Sequence, residues 1–304
     1  MAENLALLKD KKLWILDMDG TVYLGDRVFP ETVPFLRRIA CSGARALFFT
    51  NNAARSKETY VKRLCGMGIE VTASDILTST ETTLAFLTRH RAGERVFLLG
   101  TEDLKQAFRA AGVPLYNDEI LASPELRAEL EAFRENPFRP APVCGVVTEG
   151  GDAVSVSGEV RHCPIVVSSF DTTLTYEKLN IACRLLRGGS EFLSTHPDFN
   201  CPVENGFIPD SGSICALLTA ATGRTPRYFG KPSGDVVEII SEVTGCARED
   251  MVVVGDRLMT DIALGAENGV TSVLVLSGET TPADLEKSDI RPDFVVENVG
   301  KLLA

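Results

Sequence analysis

The chain has 304 residues, which exceeds the usual size of a single domain and predicts two domains. It carries 31 Lys and Arg against 42 Asp and Glu, and the resulting net charge of −11 argues against nucleic acid or an anionic membrane as the main partner. Its 8 cysteines are scattered without a C-x-x-C pair and there are only 3 histidines, so a zinc or iron–sulfur site is not expected.

Short β-branched or aromatic runs alternate with amphipathic stretches of helix length along most of the chain. The predicted strands are residues 13–17, 46–50, 96–100, 166–169, 192–195, 227–229, 251–255 and 272–276. The clearest predicted helices are residues 32–41, 57–66, 80–91, 176–186, 213–222, 235–244 and 261–268. Strands that alternate with helices in this way indicate an α/β protein with a doubly wound, Rossmann-like parallel sheet.

The middle of the chain differs from the rest in its proline and glycine content and in its pattern of apolar residues. Residues 123–162 contain Pro124, Pro137, Pro140 and Pro142, followed by two adjacent glycines and an alternating polar and apolar run. This pattern predicts a helix, a proline-rich connection and a polar hairpin. We interpret the segment as part of a second α/β domain that is inserted into the first.

Two carboxylates, Asp17 and Asp19, follow the apolar run 13–16 and precede a glycine turn. Open α/β sheets bind ligands at the carboxyl ends of their strands, which is where this pair would lie. Residues at i and i+2 of a strand point the same way, and two close negative charges require a cation or a proton. The pair therefore predicts a divalent metal or a shared proton, with an Asp-rich turn without chemistry as the alternative.

Polar side chains follow three further predicted strands. Thr50 and Asn51 can offer a hydroxyl and backbone N–H groups to a phosphate, although an ordinary helix cap explains them equally well. Lys231 can pair with a transferring phosphoryl group, although most lysines are simply exposed. Asp256 and Asp261 suit a hard cation such as Mg²⁺, with a helix cap as the alternative.

All four segments occupy strand ends that face one crevice in a parallel sheet. Together they supply a nucleophilic carboxylate, a second carboxylate, a hydroxyl, a lysine and two more acids. This combination is typical of metal-assisted phosphoryl transfer through an aspartyl intermediate.

In this order the four segments resemble those of the haloacid dehalogenase-like hydrolases. They are more similar still to the p-nitrophenylphosphatase-like and NagD-like phosphatases, which carry a large α/β cap of class IIA. The supporting signatures are Ile76-Leu77-Thr78-Ser79, Phe170-Asp171 with Thr175-Tyr176-Glu177-Lys178-Leu179, Ser194-Thr195-His196-Pro197-Asp198, Gly230-Lys231-Pro232-Ser233, and Gly255-Asp256-Arg257-Leu258-Met259-Thr260-Asp261-Ile262.

The resemblance implies a role for each residue of the first three segments. Asp17 is expected to be the nucleophile, and Asp19 the general acid and then the general base. Thr50, the Asn51 backbone and Lys231 are expected to hold the phosphoryl oxygens. This assignment agrees with elementary chemistry, because a lysine offsets the repulsion between a carboxylate and a phosphate dianion.

The resemblance also implies a bound Mg²⁺. Its expected ligands are the Asp17 carboxylate, the Asp19 backbone carbonyl and Asp256, with Asp261 orienting the site.

The implied domain arrangement is a core of residues 1–81 and 201–304, with the cap inserted as residues 82–200. His196 and Asp198 are our candidate cap residues for contacting the leaving group. Relatives usually have Asn where this chain has His196. Segment 136–162 is longer than a minimal cap needs, so we expect it to reshape the pocket or an oligomer interface.

The predicted function is a cytoplasmic, Mg²⁺-dependent phosphatase that acts on a small phosphomonoester such as a sugar phosphate or a nucleoside monophosphate. A phosphotransferase or mutase, or a non-catalytic module that binds a phosphorylated metabolite, remains an alternative. A dinucleotide-dependent oxidoreductase is disfavoured because no G-x-G-x-x-G follows a strand. We expect neither a nucleic acid nor a membrane partner, and the resemblance leads us to expect pairing of two copies through the cap.

Overall fold

The computed structural model describes residues 5–53, 56–136, 163–203 and 206–302. Apart from Asn136, the predicted proline-rich and hairpin segment 136–162 lies outside these residues. The chain forms two compact units. The first comprises Met1–Thr82 and Phe229–Ala304, and the second comprises Thr83–Tyr228.

Strands and helices alternate through both units. The strands in the described ranges are β1 (Leu13–Leu16), β2 (Tyr23–Leu24), β3 (Arg27–Val28), β4 (Arg45–Thr50), β5 (Ile76–Thr78), β6 (Val96–Leu99), β7 (Ile165–Ser168), β8 (Glu191–Ser194), β9 (Asn200–Val203), β10 (Gly206–Pro209), β11 (Arg227–Tyr228), β12 (Met251–Gly255), β13 (Thr271–Val275) and β14 (Phe294–Val296). The α-helices there are α1 (Thr32–Cys41), α2 (Lys57–Gly66), α3 (Ser79–His90), α4 (Glu102–Ala110), α5 (Tyr116–Ala122), α6 (Pro124–Glu135), α7 (Tyr176–Arg187), α8 (Ser211–Thr222), α9 (Gly234–Thr244), α10 (Ala263–Asn268) and α11 (Pro282–Lys287). None of these helices has both the length and the apolar character that crossing a membrane requires.

The first unit is built on a sheet with the strand order β14-β13-β12-β1-β4-β5, and each adjacent pair is parallel. This confirms the predicted doubly wound parallel sheet. Strand β1 is central, because Leu16 pairs with Val254 of β12 on one side and with Phe48 of β4 on the other. The carboxyl ends of these three strands therefore lie side by side.

Both faces of this sheet are buried, which explains why its strands read as unbroken apolar runs. Alternate residues of β1 enter different clusters: Trp14 and Leu16 pack on one side, and Leu13 and Ile15 on the other. Trp14 meets Phe35 of α1 edge to face, with ring centroids 5.5 Å apart. Helices on each face thus fix the sheet and the positions of its strand ends.

The second unit has its own parallel sheet with the order β11-β8-β7-β6, together with the antiparallel hairpin β9–β10. Its core packs residues such as Phe97, Val166 and Phe192 against helices α7 and α8. An inserted α/β domain is therefore present, as predicted.

The insertion extends further along the chain than the predicted boundary at residue 200. Residues 201–228 belong to the second unit. The reason is that β11 pairs with β8, where Arg227 lies opposite Leu193, and that α8 packs on α7.

Candidate active site

Charged side chains converge at the carboxyl edge of the sheet in the first unit. Asp17 directly follows β1 and Asp256 directly follows β12. The Lys231 Nζ atom lies 2.6 Å from Asp17 Oδ1 and 2.5 Å from Asp261 Oδ1. The side chain of Lys231 is 5% exposed, so both ion pairs are shielded from water. The structure thus brings together four of the residues that were predicted to form one site.

Three of these residues form a cluster of carboxylates suited to a cation. Oxygen atoms of Asp17, Asp256 and Asp261 all lie within 4.8 Å of one another. Asp256 Oδ1 is buried and accepts no hydrogen bond from the described residues, whereas Asp256 Oδ2 accepts the Glu279 N–H at 2.7 Å. A buried carboxylate oxygen without a partner is costly unless a cation binds it. The donor set consists of oxygen atoms, which Mg²⁺ prefers, so the residues present fit that ion.

The electrostatics of the site reflect its crowding with acids. Burial is the main cause that raises the pKa of Asp17 to about 7. Lys231 lowers this pKa, whereas the negative charges of Asp261 and Asp256 raise it further. Burial likewise raises the pKa of Asp256 to about 6, again with a contribution from Asp261. Burial lowers the pKa of Lys231, but Asp17 and Asp261 more than offset this and hold the pKa above its usual value. The positive charge of Lys231 therefore does not fully offset the burial and mutual repulsion of these carboxylates.

Glycines make room for these carboxylates. A Cβ atom at Gly20 would lie 2.3 Å from Asp256 Oδ2, and one at Gly278 would lie 2.0 Å from the same atom. A Cβ atom at Gly255 would lie 2.2 Å from Asp261 Cβ. Gly20 also has a φ of +86°, which other residues rarely adopt. Two loops and the last residue of β12 therefore need glycine for the acids to approach one another.

Asn51 anchors the loop that carries Lys231. Its Oδ1 atom accepts the Lys231 N–H at 2.7 Å, and its Nδ2 atom donates to the Lys231 carbonyl at 2.9 Å. The sequence pattern predicts only phosphate binding by the Asn51 backbone and does not reveal this role of the side chain. Thr50 is the last residue of β4, at the same sheet edge, and its hydroxyl accepts the Asn52 N–H at 3.1 Å. The assignment of Thr50 to phosphate binding stays a prediction.

Asp19 is held differently from Asp17. Strand β1 ends at Leu16, although the Asp17 N–H still donates to the Val254 carbonyl of β12 at 2.9 Å. The expectation that Asp17 and Asp19 point the same way stays a prediction. Asp19 is exposed, and its Oδ1 atom accepts the Gly25 N–H at 3.2 Å. The acid and base role assigned to Asp19 stays a prediction.

The candidate cap residue His196 is a structural residue of the second unit. Its side chain is fully buried, Nε2 lies 2.8 Å from Asp210 Oδ1, and Nδ1 lies 2.8 Å from Thr195 Oγ1. Both ring nitrogens are therefore engaged within the second unit. These contacts do not support the predicted contact of His196 with the substrate, which stays a prediction. Asp198 is half-buried, and its carbonyl accepts the Gly212 N–H at 2.8 Å. Its proposed contact with the leaving group stays a prediction.

Asp261 lies in a wide π-helical turn, Leu258–Ile262, that precedes α10. The predicted helix 261–268 therefore begins with an irregular turn, a feature that often marks functional sites. Asp261 Oδ2 accepts the N–H of Arg257 at 3.1 Å. The Arg257 Nε atom lies 2.8 Å from Glu279 Oε2 in the loop after β13. Neither Arg257 nor Glu279 was predicted to have a role, although Glu279 follows the end of β13 at the same sheet edge.

Comparisons with known proteins agree with this geometry. A family model described as haloacid dehalogenase-like hydrolase matches residues 14–114, and a second, described as HAD-hydrolase-like, matches residues 228–302. A crystal structure of a 4-nitrophenylphosphatase from Thermotoga maritima is 40% identical, covers 98% of each chain and has a TM-score of 0.77. An acid sugar phosphatase from Staphylococcus aureus is 27% identical over 98% of each chain. A glycerol phosphate phosphatase from Mycobacterium tuberculosis, in complex with magnesium, is 27% identical over 97% of this chain and 77% of that one, with a TM-score of 0.73.

Proposed function

Because this chain belongs to the haloacid dehalogenase-like hydrolases, in their NagD-like and p-nitrophenylphosphatase-like subfamily, we propose that it is a Mg²⁺-dependent phosphatase. Its substrates are small phosphomonoesters, and the reaction passes through a phosphorylated Asp17. The observation that carries the proposal is the buried cluster in which Lys231 pairs with Asp17 and Asp261 beside the unpartnered oxygen of Asp256.

In the first step the Asp17 carboxylate attacks the phosphorus atom. A bond forms between a carboxylate oxygen and phosphorus while the bond from phosphorus to the leaving oxygen breaks. Lys231 lowers the repulsion between the attacking carboxylate and the negatively charged phosphoryl group. The hydroxyl of Thr50 and the backbone of Asn51 bind the phosphoryl oxygens. Asn51 also fixes Lys231 through its side chain, so the cation is already positioned when the substrate arrives.

Asp19 acts as the general acid in the first step and as the general base in the second. It donates a proton to the leaving oxygen in the first step. It then takes a proton from the water that attacks phosphorus, which breaks the bond to Asp17 and releases inorganic phosphate. The hydrogen bond from Gly25 N–H holds Asp19 Oδ1, so Oδ2 is the oxygen that we assign to carrying the proton.

The Asp17 and Asp256 carboxylates and the Asp19 carbonyl would hold Mg²⁺, and Asp261 would orient the site. When bound, Mg²⁺ supplies positive charge that neutralises these carboxylates and the phosphoryl oxygens. The raised pKa values of Asp17 and Asp256 and the unpartnered oxygen of Asp256 support this assignment.

Names of related proteins support the substrate class. These relatives are described as acid sugar, 4-nitrophenyl and glycerol phosphate phosphatases. We infer that this chain also hydrolyses a small phosphorylated metabolite, such as a sugar phosphate or a nucleoside monophosphate. A phosphate-release screen over a panel of such metabolites, ranked by kcat/KM, tests the inference. Thermal stabilisation by a metabolite with no turnover of any would indicate a binding module instead.

A cytoplasmic location also belongs to the proposal. It is supported by the cysteines of the sequence, which are scattered and include no C-x-x-C pair. Pairing of two copies through the second unit stays a prediction.

Replacement of the nucleophile tests the central role of Asp17. The variant Asp17→Asn keeps the size of the side chain but removes the nucleophilic carboxylate. With Mg²⁺ and p-nitrophenyl phosphate, we expect kcat to fall by about 1,000-fold or more. Asp26→Asn is the matched control, because Asp26 is a fully exposed acid of the same unit. Hydrolysis that survives Asp17→Asn would defeat the assignment.

A further inference from the structure

Two loops of the first unit each hold one of the buried acids through a backbone N–H group. In the loop after β12, the Arg257 N–H donates to Asp261 Oδ2 at 3.1 Å. In the loop after β13, the Glu279 N–H donates to Asp256 Oδ2 at 2.7 Å. The same two residues, Arg257 and Glu279, form an ion pair through their side chains at 2.8 Å. The ion pair therefore ties together the two peptide groups that orient the two acids.

The loop after β13 contacts this site at further points. The Thr280 N–H donates to the Asp256 carbonyl at 3.2 Å, and the Ser277 hydroxyl donates to the Gly20 carbonyl at 2.8 Å. Gly278 lies so close to Asp256 that a Cβ atom there would overlap its carboxylate. A small shift of this loop would consequently move the Asp256 oxygens.

We propose that Arg257 and Glu279 are positioning residues whose ion pair latches the two loops together and so fixes Asp256 and Asp261 in the geometry that binds the cation. The inference rests on the proposed function, because it concerns the same metal site. Neither residue is assigned to a reacting atom; both act through the acids that their N–H groups hold.

A contribution to global stability does not account for the pair. The Arg257 side chain is 45% exposed and the Glu279 side chain is 67% exposed, and ion pairs in such surroundings stabilise a fold only weakly. Groups that hold metal ligands from outside have large effects on metal affinity, because a carboxylate that is free to rotate loses its ligand geometry. The latch is thus expected to act on metal binding much more than on folding.

The latch and a simple charge effect predict opposite changes in the Mg²⁺ affinity of the variant Arg257→Ala. Burial lowers the pKa of Arg257, but Glu279 raises it more than any other group. The acids of the cluster also raise this pKa, which shows that they lie close to Arg257. If charge alone mattered, Arg257→Ala would remove a positive neighbour and tighten Mg²⁺ binding, whereas Glu279→Ala would weaken it. The latch predicts that both variants weaken binding.

The test measures Mg²⁺ binding to metal-free protein by isothermal titration calorimetry. The variants are Arg257→Ala, Glu279→Ala and the double variant, and Glu238→Ala is the matched control. Glu238 pairs with Arg248 in the same unit, with side-chain exposures of 59% and 44% that resemble those of the latch. Thermal unfolding of each metal-free variant checks folding, and Arg257→Gln and Glu279→Gln replace any alanine variant that fails to fold.

We expect each single variant to raise the Kd for Mg²⁺ about tenfold. The double variant should be no worse than either single variant, because both remove the same interaction. Glu238→Ala should leave the Kd unchanged. In activity assays, the Mg²⁺ concentration for half-maximal rate should rise, while the KM for p-nitrophenyl phosphate at saturating Mg²⁺ stays constant.

Tighter binding by Arg257→Ala, additive effects in the double variant, or a Kd as unchanged as that of Glu238→Ala would each overturn the latch. These results leave the proposed function intact, provided that the unaltered protein binds Mg²⁺. A lack of Mg²⁺ binding by the unaltered protein would overturn both proposals.

Discussion

Asp256 is a residue at which stability and function oppose each other. Its side chain is 2% exposed, burial raises its pKa to about 6, and one of its oxygens has no partner among the described residues. At neutral pH the metal-free protein must therefore keep an ionised carboxylate under unfavourable conditions. Active sites commonly hold residues in such conditions, because the ligand later supplies the missing interaction.

Removing this charge should stabilise the metal-free protein and weaken metal binding. We expect Asp256→Asn to raise the free energy of unfolding without metal by on the order of 3 kcal/mol, given the shift of its pKa from 3.8 to about 6. The Asn side chain can still accept the Glu279 N–H. Denaturant unfolding and Mg²⁺ titration check the two effects. A less stable metal-free variant would contradict this account of the site.

The side chain of Asn51 provides a second test at the residue scale. Asn51→Ala removes both hydrogen bonds to the Lys231 backbone, so the lysine should lose its fixed position. We expect kcat for p-nitrophenyl phosphate to fall by roughly 10- to 100-fold, as is usual for a misplaced catalytic group. Asn298→Ala is the control, because Asn298 caps a short helix elsewhere in the same unit. Equal activity of the two variants would show that Asn51 does not position Lys231.

Sequence predicts those site residues that stand directly at the ends of apolar strands. Asp17 and Asp256 belong to this class, because the local pattern fixes the place of the side chain in a parallel sheet. His196 also follows a strand, yet its ring is buried against Asp210, which is distant in the sequence. A partner of this kind depends on tertiary packing, so the local pattern did not distinguish a buried histidine from an exposed one.

At the scale of elements, the loops of the site depend on glycine. We expect Gly278→Ala to raise the Kd for Mg²⁺ by about tenfold or more, because the added methyl group overlaps the Asp256 carboxylate. Gly66→Ala is the matched control, since a Cβ atom at Gly66 meets no atom within 4 Å. Calorimetry on both variants checks the prediction. Unchanged Mg²⁺ affinity in Gly278→Ala would mean that the loop after β13 can move away without disturbing the acid.

All the predicted strands are present, and their ends differ from the prediction by at most one residue. Continuous burial on both faces of a parallel sheet gives such strands a strong sequence signal. In the parallel sheet of the first unit, strands β5 and β14 were not predicted. Each has three residues, which is too short for a periodic pattern, and tertiary pairing with β4 and β13 defines them.

At the scale of the whole molecule, protons and the cation compete for the same carboxylates. Between about pH 3.8 and pH 7, folded metal-free protein binds more protons at Asp17 and Asp256 than the unfolded chain does. Its free energy of unfolding therefore loses this contribution as pH rises through that window. Mg²⁺ restores stability once the acids are ionised, so its affinity should increase over the same range.

We accordingly expect Mg²⁺ to raise the Tm more at about pH 8 than at about pH 5.5. Differential scanning calorimetry at a fixed Mg²⁺ concentration checks the expectation, and Asp256→Asn is the control because it removes one of the competing acids. A larger increase at the lower pH would contradict the proposed competition.

The division of the chain was predicted in outline but not at its second boundary. The long interval between Thr50 and Lys231 indicates an insertion, and the structure contains one. The end of the insertion depends on strand pairing. The two residues of β11 pair with β8, and residues 201–228 therefore belong to the second unit. No composition change in the sequence marks that pairing.

Detection of the phosphorylated enzyme tests the role of Asp17 most directly. The unaltered protein is mixed with p-nitrophenyl phosphate and Mg²⁺, quenched in acid within milliseconds, digested and analysed by mass spectrometry. We predict that the peptide containing Asp17 gains one phosphoryl group and that the same peptide from Asp17→Asn does not. A phosphoryl group on another residue, or rapid turnover by Asp17→Asn, would contradict the account.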